Sequence, residues 1–183
     1  MSSENEYFFR SQNIFLVPVS LKHCTDTYLG WFHDDEMSEF IESAHKKLGI
    51  GALEAFIKKN SDDGNIFLAI HLSSTEKHIG NIRIHSFDSK GISAEFGILI
   101  GEKNEWGKGA AVEAAQAVID HCFRKTDLAR ITLGVISTNK RGIGFFKKLG
   151  FVQYKELDNY YRANNGQMVS VIRMAIEKDK WKI

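Results

Sequence analysis

The 183-residue chain is 43% hydrophobic and 26% charged, the balance of a soluble globular domain long enough for a real core. Its formal net charge of +1 supplies no global field for nucleic acid or an anionic membrane, so neither is expected as a partner. No apolar run is long enough to cross a bilayer, and the polar start "MSSENEYFFRSQN" has no signal- or transit-peptide pattern, which points to the cytoplasm.

In chain order, "NIFLVPV" (13–19) reads as a short strand, and Pro18 suits it to a sheet edge. Residues 20–43 read as one or two helices, interrupted near Gly30 and capped by Asp34 or Asp35. "GALEAFIKKN" (51–60) is a short amphipathic helix. Strands at 65–72 and 77–87 flank the polar turn "SSTE". "GISAEFGILI" (91–100) is a further strand. A helix then runs to about Lys125, with Ala111, Ala115, Val118, Ile119 and Cys122 on one face. A strand at 129–137 precedes a helix over 139–150, which Gly150 stops. "FVQYKELDNYYRA" and "QMVSVIRMAIE" close the chain as a hairpin around "NNG". One proline, no linker-like stretch and no internal repeat predict a single domain over residues 1–183. An antiparallel run, a strand–helix–strand crossover and a hairpin predict an α/β or α+β sheet with helices on both faces.

Residues 104–114, "NEWGKGAAVEA", pose the central question. Glycine costs about 1 kcal/mol relative to alanine inside a helix, yet Gly107 and Gly109 stand at a helix entrance. A P-loop, GxxxxGK[ST], fails: Gly101 is one residue too far, and Gly109 replaces the Ser/Thr. A Rossmann GxGxxG fails because Val112 occupies the third glycine position. A helix N-terminus offers unpaired N–H groups and favours anions, and glycines let a phosphate approach the backbone. "WGKGAA" therefore reads either as a pyrophosphate cradle, with Lys108 adding charge, or as a tight turn.

The surroundings narrow this. The stretch Asn104, Glu105, Trp106, Gly107, Lys108, Gly109 follows the strand "AEFGILI" and opens a helix, like the acetyl-CoA motif Gln/Arg-x-x-Gly-x-Gly/Ala. Asn139 ends the next strand, and "FFKKLGF" (145–151) follows. On these motifs the chain resembles the GNAT family of N-acetyltransferases over roughly residues 10–177. "LVPVSLKH" with "YLGWFHDDEMSEFI" resembles the branch of ribosomal-protein alanine acetyltransferases and amino-sugar or small-amine acetyltransferases. The resemblance implies a twisted, mostly antiparallel sheet of six or seven strands, with a parallel central pair, about 94–100 and 130–136, splayed apart. It implies acetyl-CoA as cosubstrate. The pantetheine arm would pair with backbone at Ile98, Leu99 and Ile100, and the pyrophosphate would rest on Trp106, Gly107, Lys108, Gly109, Ala110 and Ala111. Asn104 stands where the family carries Gln or Arg. Asn139 is placed by the pantetheine arm and also reads as a helix cap. Phe146 stands along the cofactor where many relatives have a tyrosine that protonates the departing thiolate, and its own context reads as a core aromatic. Gly142 replaces a serine common in the ribosomal branch.

The implied reaction passes an acetyl group from a thioester to an amine. An alkylamine with a pKa of about 10 must first lose a proton, which a carboxylate or histidine can take. Glu95 is the leading base, because an acid inside the apolar strand "ISAEFGILI" is costly unless paired or used. Its alternative role is an ion pair with a neighbour such as Arg83. The catalytic assignment is thus Glu95 with Asn139. Ser137, Thr138 and Tyr154 are candidate proton donors, His85 a candidate for the acceptor side, and Asp34, Asp35, Glu36 and Glu39 either a solvated helix start or a cradle for a cationic amine. "NYYRANNGQ" (159–167) is surface packing or a wall of the acceptor pocket. Cys24 and Cys122 read as reduced thiols, Cys122 inert on an apolar helix face. Seven histidines without HExxH or Cys/His spacing predict no metal. The expected partners are acetyl-CoA and an amine acceptor: an amino sugar, a nucleotide-linked amino sugar or a polyamine. Protein N-termini and a non-catalytic acyl-CoA-binding module are the alternatives, and the protein is expected as a monomer or homodimer.

Overall fold

The computed structural model describes residues 7–39, 49–62, 64–163 and 166–182. The elements are β1 (Phe9–Arg10), β2 (Ile14–Pro18), α1 (Asp26–His33), α2 (Asp35–Ser38), α3 (Ile50–Asp62), β3 (Ile66–Leu72), β4 (His78–His85), β5 (Ser93–Ile100), α4 (Ala110–Lys125), β6 (Arg130–Ile136), α5 (Lys140–Lys148), β7 (Val152–Arg162) and β8 (Met168–Glu177). The eight strands form one sheet in the order β1-β2-β3-β4-β5-β6-β8-β7. Every neighbouring pair is antiparallel except β5 and β6.

Alternation decides the layers, since successive strand side chains point to opposite faces. Ile82, Ile84, Ala94, Phe96, Ile131, Leu133 and Met174 are buried on one face under α4 and α5. Phe15, Val17, Phe67 and Ala69 are buried on the other with Tyr28, Trp31, Leu53 and Ile57 of α1 and α3. Each large apolar side chain so buried contributes about 1.5–3 kcal/mol. The buried stripe of α4 is Ala110, Ala114, Ala115, Val118, Ile119, Cys122 and Phe123, at helical spacing, and Ala111 is only half-buried at its margin.

Several boundaries differ from the sequence reading. The sheet has an eighth strand because β1 forms within the polar N-terminal stretch, where Phe8 and Phe9 pack on the core. β2 is therefore second from the edge, and β1 pairs only with its Phe15 and Leu16, short of Pro18. The missing N–H of Pro18 thus interrupts no ladder with β1. The first helical stretch breaks at Asp34 rather than near Gly30, which lies inside α1. The Asp34 carboxylate accepts the Met37 N–H at 3.1 Å and caps α2. Residues 40–43 of that expected helix, and Asn164 and Asn165 of the expected turn, lie outside the described residues.

Two packing features carry predictions. Burial pushes the Cys122 thiol up to about 12. In the folded protein a thiol reagent should modify half-buried Cys24 first and reach Cys122 only on unfolding. Equal labelling rates under native conditions would contradict this packing. His71 and His78 stack, and His23 packs edge-on against both, with ring centroids 5.2–5.4 Å apart. Burial, then the neighbouring imidazoles, lowers His23 to about 4, and burial lowers His78 to about 4. The unfolded chain takes up these protons near pH 6.5 and the folded chain only near pH 4. Stability should therefore fall as pH drops through that window, by up to a few kcal/mol. Thermal melts from pH 7 to 4 test this, with His78→Gln expected to flatten the slope. A melting temperature independent of pH over the window would contradict it.

Candidate active site

β5 and β6 run in parallel but pair only at Ser93↔Arg130, Ala94↔Ile131 and Glu95↔Thr132. β5 continues to Ile100 and β6 to Ile136 without further pairing, so the two strands fork immediately after Glu95 and Thr132. Residues 96–100 stay laddered to β4 on their other side. Their edge toward β6 is left open, and Ile98, Leu99 and Ile100 form that arm of the fork.

Both arms end in helix N-termini. Beyond β5 the chain makes the 3₁₀ turn Lys103–Glu105 and enters α4. Gly107 has φ 79° and Gly109, the N-cap, has φ 99°, a left-handed backbone that favours glycine. Nothing lies within 4 Å of a Cβ built at either position, so the turn is open as well as left-handed. A glycine N-cap also brings no side chain to the first N–H groups of α4. These amides at Ala110 and Ala111 fit a diphosphate. The Trp106 indole N–H donates to the Ile100 carbonyl at 2.7 Å and ties this loop to β5. Exposed Lys108 pairs with Glu105 at 3.2 Å, and Asn104 is exposed. Beyond β6, Asn139 caps α5, its Oδ1 accepting the Gly142 N–H at 2.8 Å. A Cβ at residue 142 would fall 2.8 Å from Asn139 Nδ2, so a serine there would require the capping amide to shift. Arg141 of α5 lies 4.5 Å over the Trp106 ring and bridges the mouth between the two helix starts.

A polar row crosses the sheet at the fork. Glu95 is paired with Arg173 of β8, whose Nη1 donates to Oε2 at 3.2 Å and whose Nη2 donates to Oε1. The Thr132 hydroxyl donates to Glu95 Oε1 at 2.8 Å. Arg173 Nε donates to the Tyr154 hydroxyl at 3.2 Å. Burial works against the Arg173 charge, but Glu95 and Tyr154 outweigh it and hold its pKa above the usual arginine value. The ion pair weighed as the alternative role of Glu95, with a neighbour such as Arg83, is made with Arg173. Arg83 sits opposite Gly97 rather than Glu95 and donates to Asn60 Oδ1 at 3.0 Å.

Across β4, His85 is the register partner of Glu95. Burial, then the Arg83 charge, lowers His85 to about 4 against the pull of Glu95, so its imidazole is neutral at neutral pH. His85, Ser86 and Arg83 line a cavity of about 630 Å³ closed on the α3 side by Phe56, Lys59 and Asn60.

The structure thus gathers Glu95, Ile98–Ile100, the glycine loop and Asn139 around one fork. Half-buried Phe146 packs in an aromatic cluster with Phe145, Phe96 and Phe151 at 5.1, 6.1 and 5.8 Å between centroids, so it touches β5 at the residue after Glu95. Asp34 and Glu36 are both held by Lys103, at 2.8 and 3.0 Å. Among the described residues no group of three or more His, Cys, Asp or Glu is placed to hold a metal. No helix there is long and apolar enough to cross a membrane. Arg173, Thr132 and Arg141 were missed by the sequence reading. Arg173 carried a usable signal, a lone charge inside the apolar run "VSVIRMAI", as Glu95 did.

A family model described as an acetyltransferase (GNAT) domain matches residues 13–152. The chain belongs to the GNAT acetyltransferase family. Acetyl-CoA is the cosubstrate of such domains. An uncharacterised N-acetyltransferase of Bacillus licheniformis is 31% identical over 62% of this chain and 62% of its own length. Spermidine N(1)-acetyltransferase of Escherichia coli is 37% identical over 45% of this chain and 44% of its own. The matches therefore span less than two thirds of these curated relatives. The GNAT fold is shared with a crystal structure of spermidine N-acetyltransferase from Vibrio cholerae in complex with CoA and spermine. That likeness has a TM-score of 0.82 at 20% identity over 93% of this chain and 98% of that one.

Proposed function

We propose that the protein transfers the acetyl group of acetyl-CoA to the primary amine of a small molecule by direct attack on the thioester. The observation that carries this reading is the fork, which opens at Glu95 and leads to the bare N-terminus of α4. The similarity to a spermidine acetyltransferase supports a small amine.

In this reading Glu95 receives the amine proton, directly or through water. An ionised carboxylate has about four lone-pair sites. Arg173 and Thr132 occupy three and aim the group at the fork. The freed lone pair forms the N–C bond at the thioester carbon. Charge developing on the carbonyl oxygen is met by a backbone N–H of the open stretch 96–100. The C–S bond then breaks, and a thiolate with a pKa of about 8.5 leaves without a strong acid. A tyrosine at position 146 is therefore dispensable. Asn139 Oδ1 is held by the Gly142 N–H, and its Nδ2 would donate to the pantetheine arm.

Free-thiol release from acetyl-CoA tests the reading against amino sugars, nucleotide-linked amino sugars, polyamines and N-terminal peptides, with acetyl-CoA binding measured alongside. Release with a small amine is the expected result. Release only with peptides favours the protein-N-terminus reading. Binding without release for any amine favours a non-catalytic module.

A further inference from the structure

Two arginines lie on the same sheet face as Glu95, one on each side of the fork. Arg173 packs over Gly134 of β6, where a Cβ would come within 3.2 Å of its Nη1. Arg83 packs over Gly97 of β5, where a Cβ would meet its Nε at 3.5 Å. Their partners differ. Arg173 is neutralised by Glu95 and further bonded to Tyr154. Arg83 has no carboxylate partner among the described residues, and Asn60 takes one of its five N–H donors. The Phe56 ring, 5.5 Å from Cζ, covers it without offering an anion. Burial depresses the Arg83 pKa, the mark of a desolvated charge lacking compensation.

The cavity above Arg83 has one further cation, Lys59, and no carboxylate among its described lining residues. Glu95, on the same sheet face, is already paired with Arg173. A polycation entering this cavity would meet Lys59 and Arg83 with like charge. An oxyanion would meet a guanidinium fork with donors to spare, a pairing that is strong because it is charge-assisted and bidentate.

We propose that Arg83 and Lys59 form an anion-binding subsite, and that the acceptor amine carries a phosphate or carboxylate seated there. This rests on the acetyl-transfer reading and names its acceptor class. Arg83 faces Gly97, so Glu95 is its diagonal neighbour on the same sheet face, at a backbone spacing of roughly 7–8 Å. One small acceptor can therefore place its amine at Glu95 and its anion at Arg83. An anionic amino sugar fits, whether its charge is a phosphate monoester, a nucleotide diphosphate link or a ring carboxylate.

The test compares kcat/KM for glucosamine, glucosamine 6-phosphate, a uridine-diphosphate-linked amino sugar with a free amine, an amino sugar carboxylate and spermidine. The anionic amino sugars should exceed glucosamine by about tenfold or more, and the best of them identifies the source of the charge. Arg83→Gln should collapse that ratio toward one. Lys59→Gln, on an exposed residue outside the core, should reduce it by about threefold. Preference for spermidine, or a ratio that survives Arg83→Gln, overturns the subsite and leaves acetyl transfer standing. If no amine releases thiol, acetyl transfer fails instead, and calorimetric binding of glucosamine 6-phosphate against glucosamine decides the subsite. Selective binding that Arg83→Gln abolishes supports it, and equal binding overturns it.

Discussion

Glu95→Gln should lower kcat by about 10²–10⁴-fold while leaving acetyl-CoA affinity nearly unchanged. The substitution keeps the volume and an acceptor for Arg173 and Thr132 but removes the site that takes the proton. The deficit should shrink as pH rises toward the amine pKa of about 10, where free amine no longer needs a base. Losing the charged half of a pair whose side chains are 23% and 26% exposed should cost about 1–2 kcal/mol of stability, which a melt separates from the kinetic effect. Arg173→Gln leaves Glu95 in place but unanchored, and should reduce kcat by less. Unaltered turnover of Glu95→Gln across the pH range would remove Glu95 as the base and leave it a purely structural partner of Arg173.

Gly109→Trp should weaken CoA binding by about 10–100-fold, equivalent to about 1.4–2.8 kcal/mol. At φ 99° any L side chain is strained, at about 1–2 kcal/mol. The space around the Cβ is open, so the side chain leaves the backbone without a clash and the indole takes up volume at the turn before the first amides of α4. Gly109→Ala carries the strain without the bulk and should weaken binding less. Calorimetric titration with CoA distinguishes them. Wild-type affinity in Gly109→Trp would mean that the glycines serve only the turn.

What the sequence disclosed follows from how local each cause is. The α4 entrance was readable because the positive φ of Gly107 and Gly109 leaves its trace in two glycines flanking a single residue. The faces of β5 were readable because alternation is a property of eight consecutive residues. β1 was hidden because its two residues lie in a polar stretch and owe their pairing to β2. The partner of Glu95 was hidden for a topological reason. Arg173 is 78 residues away, and only the order β5-β6-β8 brings it across Thr132. Arg83, nearer in sequence, is the kind of neighbour the sequence suggests for such a pair, but register places it opposite Gly97. The cavity beside His85 needs α3 packed against β4, which no single segment encodes.

The central claim is that one fork both holds acetyl-CoA and presents its thioester to Glu95. The crystal structure of the CoA complex tests it most directly. The account predicts the diphosphate on the backbone amides of residues 107–111, the pantetheine paired along 98–100, and the sulfur at the branch point beside Glu95 and Thr132. A diphosphate bound away from the α4 N-terminus, or a sulfur on the sheet face opposite Glu95, would contradict it.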